Sequence, residues 1–504
     1  MKIALVPLDD RPVSTTLVRD TLAIAGADVL LPPPSIRPHK RLAPNLDALQ
    51  AWTNEARAAT DACVASLDAL SFGSLIGSRI RNDDALTALG RWAALTTSGG
   101  PVHAAIVVPR TPDSDDAMEE PDYWDPHGPA LHQLSFALAA DENLHAANTR
   151  LGVPENLAHD WLSRRLRQHT LAHAAIDLAN RGRFTSLFIG IDDAAPGSLS
   201  ALAQRELSRW TALLDAGGRV IVGPGADEAG LVLAVRALID HHVRTDDACL
   251  APQAAVICAV PDGLQRIAAY ETGPVLNTVH RQLRAVGAQI VEGDADVVLV
   301  VHAPALGAYT GDWAVGVPEQ LDFDAAARTV ALARRYLDAG AAVGIADVAH
   351  PNGADPALIE TITAADLWPH LHGYAGWNTA GNTIGTVVGQ LVASHVGLRI
   401  GVFDRDALQH AIAHRIVEDY GWMSIERARL RAEIGSIPGH HDHVDLDDAR
   451  RDLLARRLTT HLHTCWPDAD FVIGPDTVRL PWQRTFEIDF IAHPALRRTA
   501  DGNQ

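Results

Sequence analysis

The sequence predicts an α/β protein: a parallel, barrel-like (β/α) sheet wrapped in helices, followed by a helical C-terminal region. Two doubly wound α/β sheets are the alternative arrangement. Three observations carry this expectation. About ten short β-branched runs alternate with Ala/Leu/Arg-rich stretches of helical period through the first three quarters of the chain. Most of these runs are continuously apolar, as strands covered on both faces are. Beyond about residue 400 the pattern becomes helical, with only a short strand or hairpin signal at the tail. The expected division is an α/β part over residues 1–395 and a helical part over 396–504, with residues 250–340 able to form a separate small α/β lobe.

Taken in order, KIALVPL opens the sheet and runs into Asp9, Asp10 and Arg11. DVLLPPP follows, then ACVASLDAL, which carries Asp68, and VHAAIVVP, which ends at Arg110. A polar, proline-broken insertion over residues 109–129 is long enough to be functional or disordered. SLFIGI stops on Asp192 and Asp193, and RVIVGPG leads into Asp227. AAVICAV, DVVLVVHAP with His302, AAVGIADV with Asp347 and His350, and the weaker LHGYAGW complete the strand candidates. The last runs into Trp377, Asn378 and Asn382 ahead of the apolar helix IGTVVGQLVA. Three helices and the tail FVIGPDTVRLPWQRTFEIDFI, a hairpin or a loop and strand, finish the chain. Strand after strand thus ends in hydrogen-bonding or ionisable groups. In parallel α/β folds those ends face one mouth, so the groups are expected to converge there.

Composition narrows the chemistry. The 504 residues are 47% hydrophobic, enough for one large core or two ordinary ones, and the formal net charge is −20. Such a charge disfavours nucleic acid and anionic membranes as partners and leaves small neutral or cationic substrates. No apolar run reaches membrane-spanning length and MKIALVPLDD does not read as a signal peptide, so a cytoplasmic location is expected. Cys63, Cys249, Cys258 and Cys465 are far apart and read as free thiols. Lys2 and Lys40 are the sole lysines, which disfavours a Schiff-base or P-loop mechanism. Self-association is compatible with the sequence.

Several features have a plain structural explanation. A single carboxylate such as Asp227 serves as a helix N-cap, and Arg11 serves as the counter-ion of Asp9 or Asp10. GHHDHVD, around His440 to Asp445, reads as a solvated linker, because no second ligand set accompanies it. His410 and His414 lack the Glu of a zinc-peptidase helix. TFEIDF alternates as a half-buried strand does, although Glu487 and Arg484 beside Trp482 are within reach of a site.

The Asp192–Asp193 pair resists such treatment. A cap needs one carboxylate, and two close together drive their proton affinities apart, leaving one acid and one anion. That is equipment for glycoside cleavage, including the form in which the sugar's own acetamido group attacks the anomeric carbon. No cofactor is required. Asp9, Asp10, Arg11, Asp68, Arg110, Asp227, Trp377, Asn378 and Asn382 are the expected pocket, with Trp377 a flat face for a sugar ring and the Asn amides partners for vicinal hydroxyls. A metal-dependent hydrolase built on Asp9, Asp192, Asp347 and His350 is the rival enzyme, and a sugar-binding module is the non-enzymatic rival.

The blocks LVPLDDRPVSTT, SLDALSFGSLIGSR, FIGIDDAAPGS, PGADEAGLVLAVRAL, GIADVAHPNGAD and GYAGWNTAGNTIGT resemble those of a bacterial family of about 500 residues labelled only as a domain of unknown function. More distantly, the Asp pair followed by Trp and paired Asn is similar to the hyaluronidase-like, substrate-assisted N-acetylglucosaminidases. That resemblance implies a TIM barrel, Asp192 as orienter of the acetamido group, Asp193 as general acid, and Asn378 and Asn382 as sugar ligands. The sequence departs from those enzymes in having more strands between the two motifs and no matching Lys.

Overall fold

The computed structural model describes residues 1–96, 99–245, 251–305, 321–437 and 439–494. Its strands form two separate parallel sheets. The first contains β1 (Lys2–Val6), β2 (Asp28–Leu30), β3 (Ala62–Ser66), β4 (Val102–Val108), β5 (Ser186–Ile191) and β6 (Val220–Pro224), in the spatial order β2-β1-β3-β4-β5-β6. The second contains β7 (Gln253–Cys258), β8 (Gln289–Ile290), β9 (Val297–His302), β10 (Ala342–Asp347) and β11 (Gly373–Ala375), in the order β11-β10-β9-β7-β8. Read from their own first strands, both sheets follow one winding rule. The chain starts inside the sheet, adds its second strand on one side, then crosses over and continues on the other, which is the doubly wound pattern.

The barrel expectation is therefore corrected. No closed barrel forms among the described residues, and the two-sheet alternative is what the chain adopts. Barrel strands and doubly wound strands are both buried on two faces and both alternate with helices, so their hydrophobic patterns coincide. The difference lies in which strands pair. Starting in mid-sheet leaves an edge at β2 and another at β6, and a new sheet begins at β7.

Helix Ala229–Thr245 packs on β3 and β4, while helix Ala380–Ile400 packs on β10 and β11. These two helices also pack on each other, so the order of layers is sheet, helix, helix, sheet. Contact is close at Gly389, where a Cβ would lie 2.9 Å from Leu231 Cγ, so the helices meet where side-chain bulk is absent. Helix Ala380–Ile400 is buried from Ala380 through Gly397, which explains its apolar, non-amphipathic sequence.

The C-terminal region is helical, as expected: Arg405–Arg415, a π-helical continuation Ile416–Glu426, Arg427–Ile434 and Asp448–Cys465. The tail forms an antiparallel pair, β12 (Phe471–Ile473) with β13 (Ala492–Pro494). Residues 485–490 are not the expected strand; among the described residues their one β-bridge is Arg479–Asp489. Cys63 and Cys465 are buried free thiols, Cys258 is half-buried and free, and Cys249 lies outside the described residues. Among the described residues no helix is long and apolar enough to cross a membrane.

Candidate functional site

The C-terminal ends of β1, β4, β5 and β6 open onto one cavity of about 590 Å³, its mouth included. The start of helix Ala380–Ile400 and two segments of the C-terminal region close it. Of the expected residues, Arg11, Arg110, Asp192, Asp193, Asp227, Asn378 and Asn382 line this cavity. Apolar contributions come from Leu75, Ile191, Ala226 and Phe486.

Its walls are an ion-pair network. Arg79 Nη2 lies 2.6 Å from Asp192, and Arg79 Nη1 lies 3.2 Å from both Glu119 and Glu120. Arg110 reaches Asp193 at 3.1 Å, Glu119 at 2.9 Å and Glu120 at 3.2 Å. On the opposite side Arg11 pairs with Asp9 at 2.7 Å, Asp227 at 2.6 Å and Glu487 at 2.9 Å. Arg484 bridges the halves, pairing with Glu487 at 3.0 Å and with Glu119. Both Arg11 and Arg484 lie over the Trp482 ring. Because most of these groups are buried, each one's desolvation is offset only while its partners stay in place, so the network fixes geometry more than it adds stability.

The Asp pair is thus split between two guanidinium groups. The side chains diverge, as neighbouring residues leaving a strand do, and each meets a different cation. Asp193 holds φ of +24°, and Asn378 and Tyr270, also in the cavity wall, hold +53° and +64°. Such left-handed backbone is costly for residues other than glycine and is characteristic of sites whose geometry is over-determined by their surroundings. Tyr270 O accepts the Ala194 N–H at 3.1 Å, and the adjacent Glu271 accepts the Gly381 N–H at 2.8 Å. One short segment therefore ties the Asp loop to the Asn-bearing helix start.

Asp227 is a buried carboxyl in the cavity lining. Burial raises it first, the Arg11 guanidinium opposes, and the neighbouring Asp9 and Glu487 carboxylates push it further, to about 6. Asn378 Nδ2 donates to it at 3.2 Å. Behind it Glu228, accepting the Ala226 N–H at 3.1 Å, is pushed by burial to about 8. Asn382 Nδ2 donates to Thr379 Oγ1 at 3.1 Å, while its buried Oδ1 has no hydrogen-bond partner among the described residues.

Four expected pocket residues lie elsewhere. Asp9 sits behind Arg11 as its counter-ion, fully buried. Asp10 accepts the Trp482 Nε1 hydrogen at 2.7 Å and meets His39 at 3.2 Å, outside the cavity lining. Asp68 is a buried staple that accepts the Val107 N–H at 2.9 Å and a Gln168 amide hydrogen at 3.0 Å. The stacking role expected of Trp377 is corrected: it is 3% exposed, its indole N–H donates to Thr386 at 3.2 Å, and it belongs to the core. Aromatic faces at the cavity belong to Phe486 and Tyr270.

The single mouth is corrected too, because a second sheet carries the remaining strand ends. Asp347 accepts the Asp355 N–H at 2.7 Å and the Tyr374 hydroxyl at 3.3 Å, while Asp355 pairs with His302 at 2.9 Å. Asp347 and His350 therefore do not join Asp9 and Asp192. Among the described residues no three His, Cys, Asp or Glu side chains are grouped to hold a metal ion.

Sequence reasoning missed Arg79, Glu119, Glu120, His441 and Phe486. The signal available was the polar insertion itself, which carries Glu119 and Glu120 at its middle. His441, read as part of a solvated linker, is instead a cavity residue whose Nε2 lies 3.5 Å from Glu119. Its neighbour Asp442 is buried against Arg431 and Thr485. Arg484 and Glu487, noted as within reach of a site, are part of the network.

Two doubly wound sheets with a charge-lined cavity at the C-terminal strand ends of one of them define the class: an α/β protein with two parallel sheets and a helical C-terminal region. The chain belongs to a family described as a protein of unknown function, DUF4127, which matches residues 3–491. No curated protein and no solved structure matches it.

Proposed function

We propose that the protein is a glycoside hydrolase acting on a small amino-sugar glycoside of the N-acetylhexosamine type. The observation that carries this reading is the division of labour around one cavity. Asp192 and Asp193 are paired with Arg79 and Arg110, while Asp227, bound to Arg11 in the same cavity lining, is raised by burial to about 6. Hydrogen-bonding side chains outnumber apolar ones around it, which suits the hydroxyls of a sugar better than an apolar ligand.

In this reading the acetamido oxygen of the substrate attacks its own anomeric carbon as the bond to the leaving oxygen breaks. The Asp227 proton passes to that leaving oxygen, and Asp192 and Asp193 hold the acetamido N–H and offset the positive charge that develops on the ring. Water then opens the cyclic intermediate and returns a proton to Asp227. The general-acid role thereby moves from Asp193 to Asp227, whose carboxyl burial raises to about 6. Asn378, Asn382 and Arg110 hold hydroxyls, and Phe486 or Tyr270 supplies the flat face first assigned to Trp377.

The test is an assay of purified protein against aryl N-acetylhexosaminides and the matching unmodified aryl hexosides. Release of the aryl group from the N-acetylated series supports the proposal. Binding of the sugars with no turnover on any glycoside would instead favour a sugar-binding module.

A further inference from the structure

Asp9, Asp10 and Arg11 follow β1 as one run, and each serves a different part of one arrangement. Arg11 turns its edges to carboxylates. Its Nε and Nη2 lie 3.0 and 2.7 Å from Asp9 Oδ2, its Nη2 and Nη1 lie 2.6 and 3.2 Å from the two Asp227 oxygens, and its Nη1 lies 2.9 Å from Glu487. A planar guanidinium bonded along its edges has only its faces left. The Trp482 ring takes one of them, with the Arg11 Cζ 4.7 Å from its centroid. Asp10 holds that ring in turn, accepting the indole N–H at 2.7 Å. A cation over an aromatic face is attracted by the ring's quadrupole, more strongly where water is excluded, and Trp482 is buried.

Backbone strain marks the same point. Trp482 and Gln483 hold φ of +57° and +59°. Two successive left-handed residues, neither of them glycine, are costly and persist only where their surroundings over-determine them. Leu480 O accepts the Gln483 N–H at 2.9 Å and Gln483 O accepts the Val444 N–H at 2.8 Å, so the turn is tied on both sides. A second cation, Arg484, lies over the same ring at 4.6 Å and shares Glu487 Oε1 with Arg11. Two like charges so placed repel, and a ring that attracts both opposes their separation. Trp482 does not line the cavity, so it acts through Arg11 and not on a ligand.

We infer that Trp482 is a positioning residue: gripped by Asp10, its indole holds the Arg11 guanidinium against the Asp227 carboxyl. The inference rests on the reading of Asp227 as proton donor. Charged groups face Asp227 from three elements: Asp9 and Arg11 from the turn after β1, Glu487 from the tail, and Glu228 from its own loop. Arg11 is the one cation among them and opposes the rise that burial, Asp9 and Glu487 impose. An Arg11 no longer held in place therefore leaves a carboxyl that keeps its proton to higher pH.

The test follows Asp227 itself in the full chain by carboxyl carbon NMR, its signal identified by its loss in Asp227→Asn. Trp482→Leu should raise the titration midpoint by about one pH unit. Trp482→Phe, which keeps a ring face, should raise it by less. Asp10→Ala, which releases the indole, should also raise it, whereas loss of that negative charge alone would lower it. This last variant decides the matter if Trp482→Leu does not fold. On an alkyl N-acetylhexosaminide the falling limb of kcat/KM should move to higher pH in step with the midpoint. A midpoint unmoved in Trp482→Leu or in Asp10→Ala, or moved as far by Trp482→Phe as by Trp482→Leu, makes Trp482 an ordinary core residue and overturns the inference. If no glycoside is cleaved, the glycosidase reading fails by itself, and the NMR midpoint still supports or overturns the role of Trp482.

Discussion

Arg79 Nη2 and Asp192 Oδ2 meet at 2.6 Å, joining the last turn of helix Leu75–Ile80 to the end of β5 across 113 residues of sequence. Arg79 also faces Glu119 and Glu120. One buried guanidinium thus holds together the end of β5 and the middle of the long insertion.

Removing that cation leaves three buried carboxylates short of a partner. Arg79→Ala is expected to destabilise the fold by about 3–5 kcal/mol, read as a lower midpoint in urea unfolding. A midpoint unchanged from wild type would show that the network does not hold the cavity walls.

Asp193→Asn removes the charge but keeps the shape. Turnover should fall by roughly a hundredfold or more, while affinity for the sugar product, measured by calorimetry, changes far less. Undiminished kcat would remove Asp193 from the chemistry.

Asp227 gives the pH dependence. A proton donor raised to about 6 carries its proton below that value and loses it above. The kcat/KM for a glycoside with a poor leaving group should therefore fall as pH rises through about 6. Asp227→Asn should abolish that limb, and dinitrophenyl glycosides, whose leaving group needs no proton, should recover much of the lost rate. A profile that is flat across this range assigns the proton to another group.

Glu228 links burial to stability. Its folded value of about 8 lies above its ordinary 4.5, so between these two values the folded chain holds a proton that the unfolded chain has lost. Its contribution is fully present below about pH 4.5 and disappears as pH rises through about 8. Glu228→Gln should make unfolding free energy less dependent on pH across that window and raise it at the alkaline end. The amide also suits its neighbour, because Gln282 Oε1 lacks a partner among the described residues and can accept from it. An unaltered pH slope would show that Glu228 is ionised in the fold.

Asp68 separates support from binding. Asp68→Ala orphans the Val107 N–H and the Gln168 amide and should cost about 1–3 kcal/mol of stability. KM should not move, and Asp68→Asn, which keeps an acceptor, should recover part of the loss. A raised KM with stability intact would return Asp68 to the pocket.

The local pattern of the sequence was enough to identify a parallel α/β protein with a helical C-terminal region, because alternation of apolar runs and helical periods is a property of short stretches. It was also enough to mark Arg11, Arg110, Asp192, Asp193, Asp227, Asn378 and Asn382, since polar groups at strand ends of a parallel sheet face one side whichever way the sheet closes. Trp377 and Asp68 carried the same signal and are structural, because a side chain one position along a turn points into the core instead of the cavity. Strand pairing was decided only in three dimensions: whether β6 meets β1 or ends a sheet is a long-range choice with no local signature. The same holds for Arg79, Glu119, His441 and Arg484. Their partners lie far along the chain, so an acid or a base that looks solvated in sequence acquires its role only when folding removes water and brings the opposite charge to it.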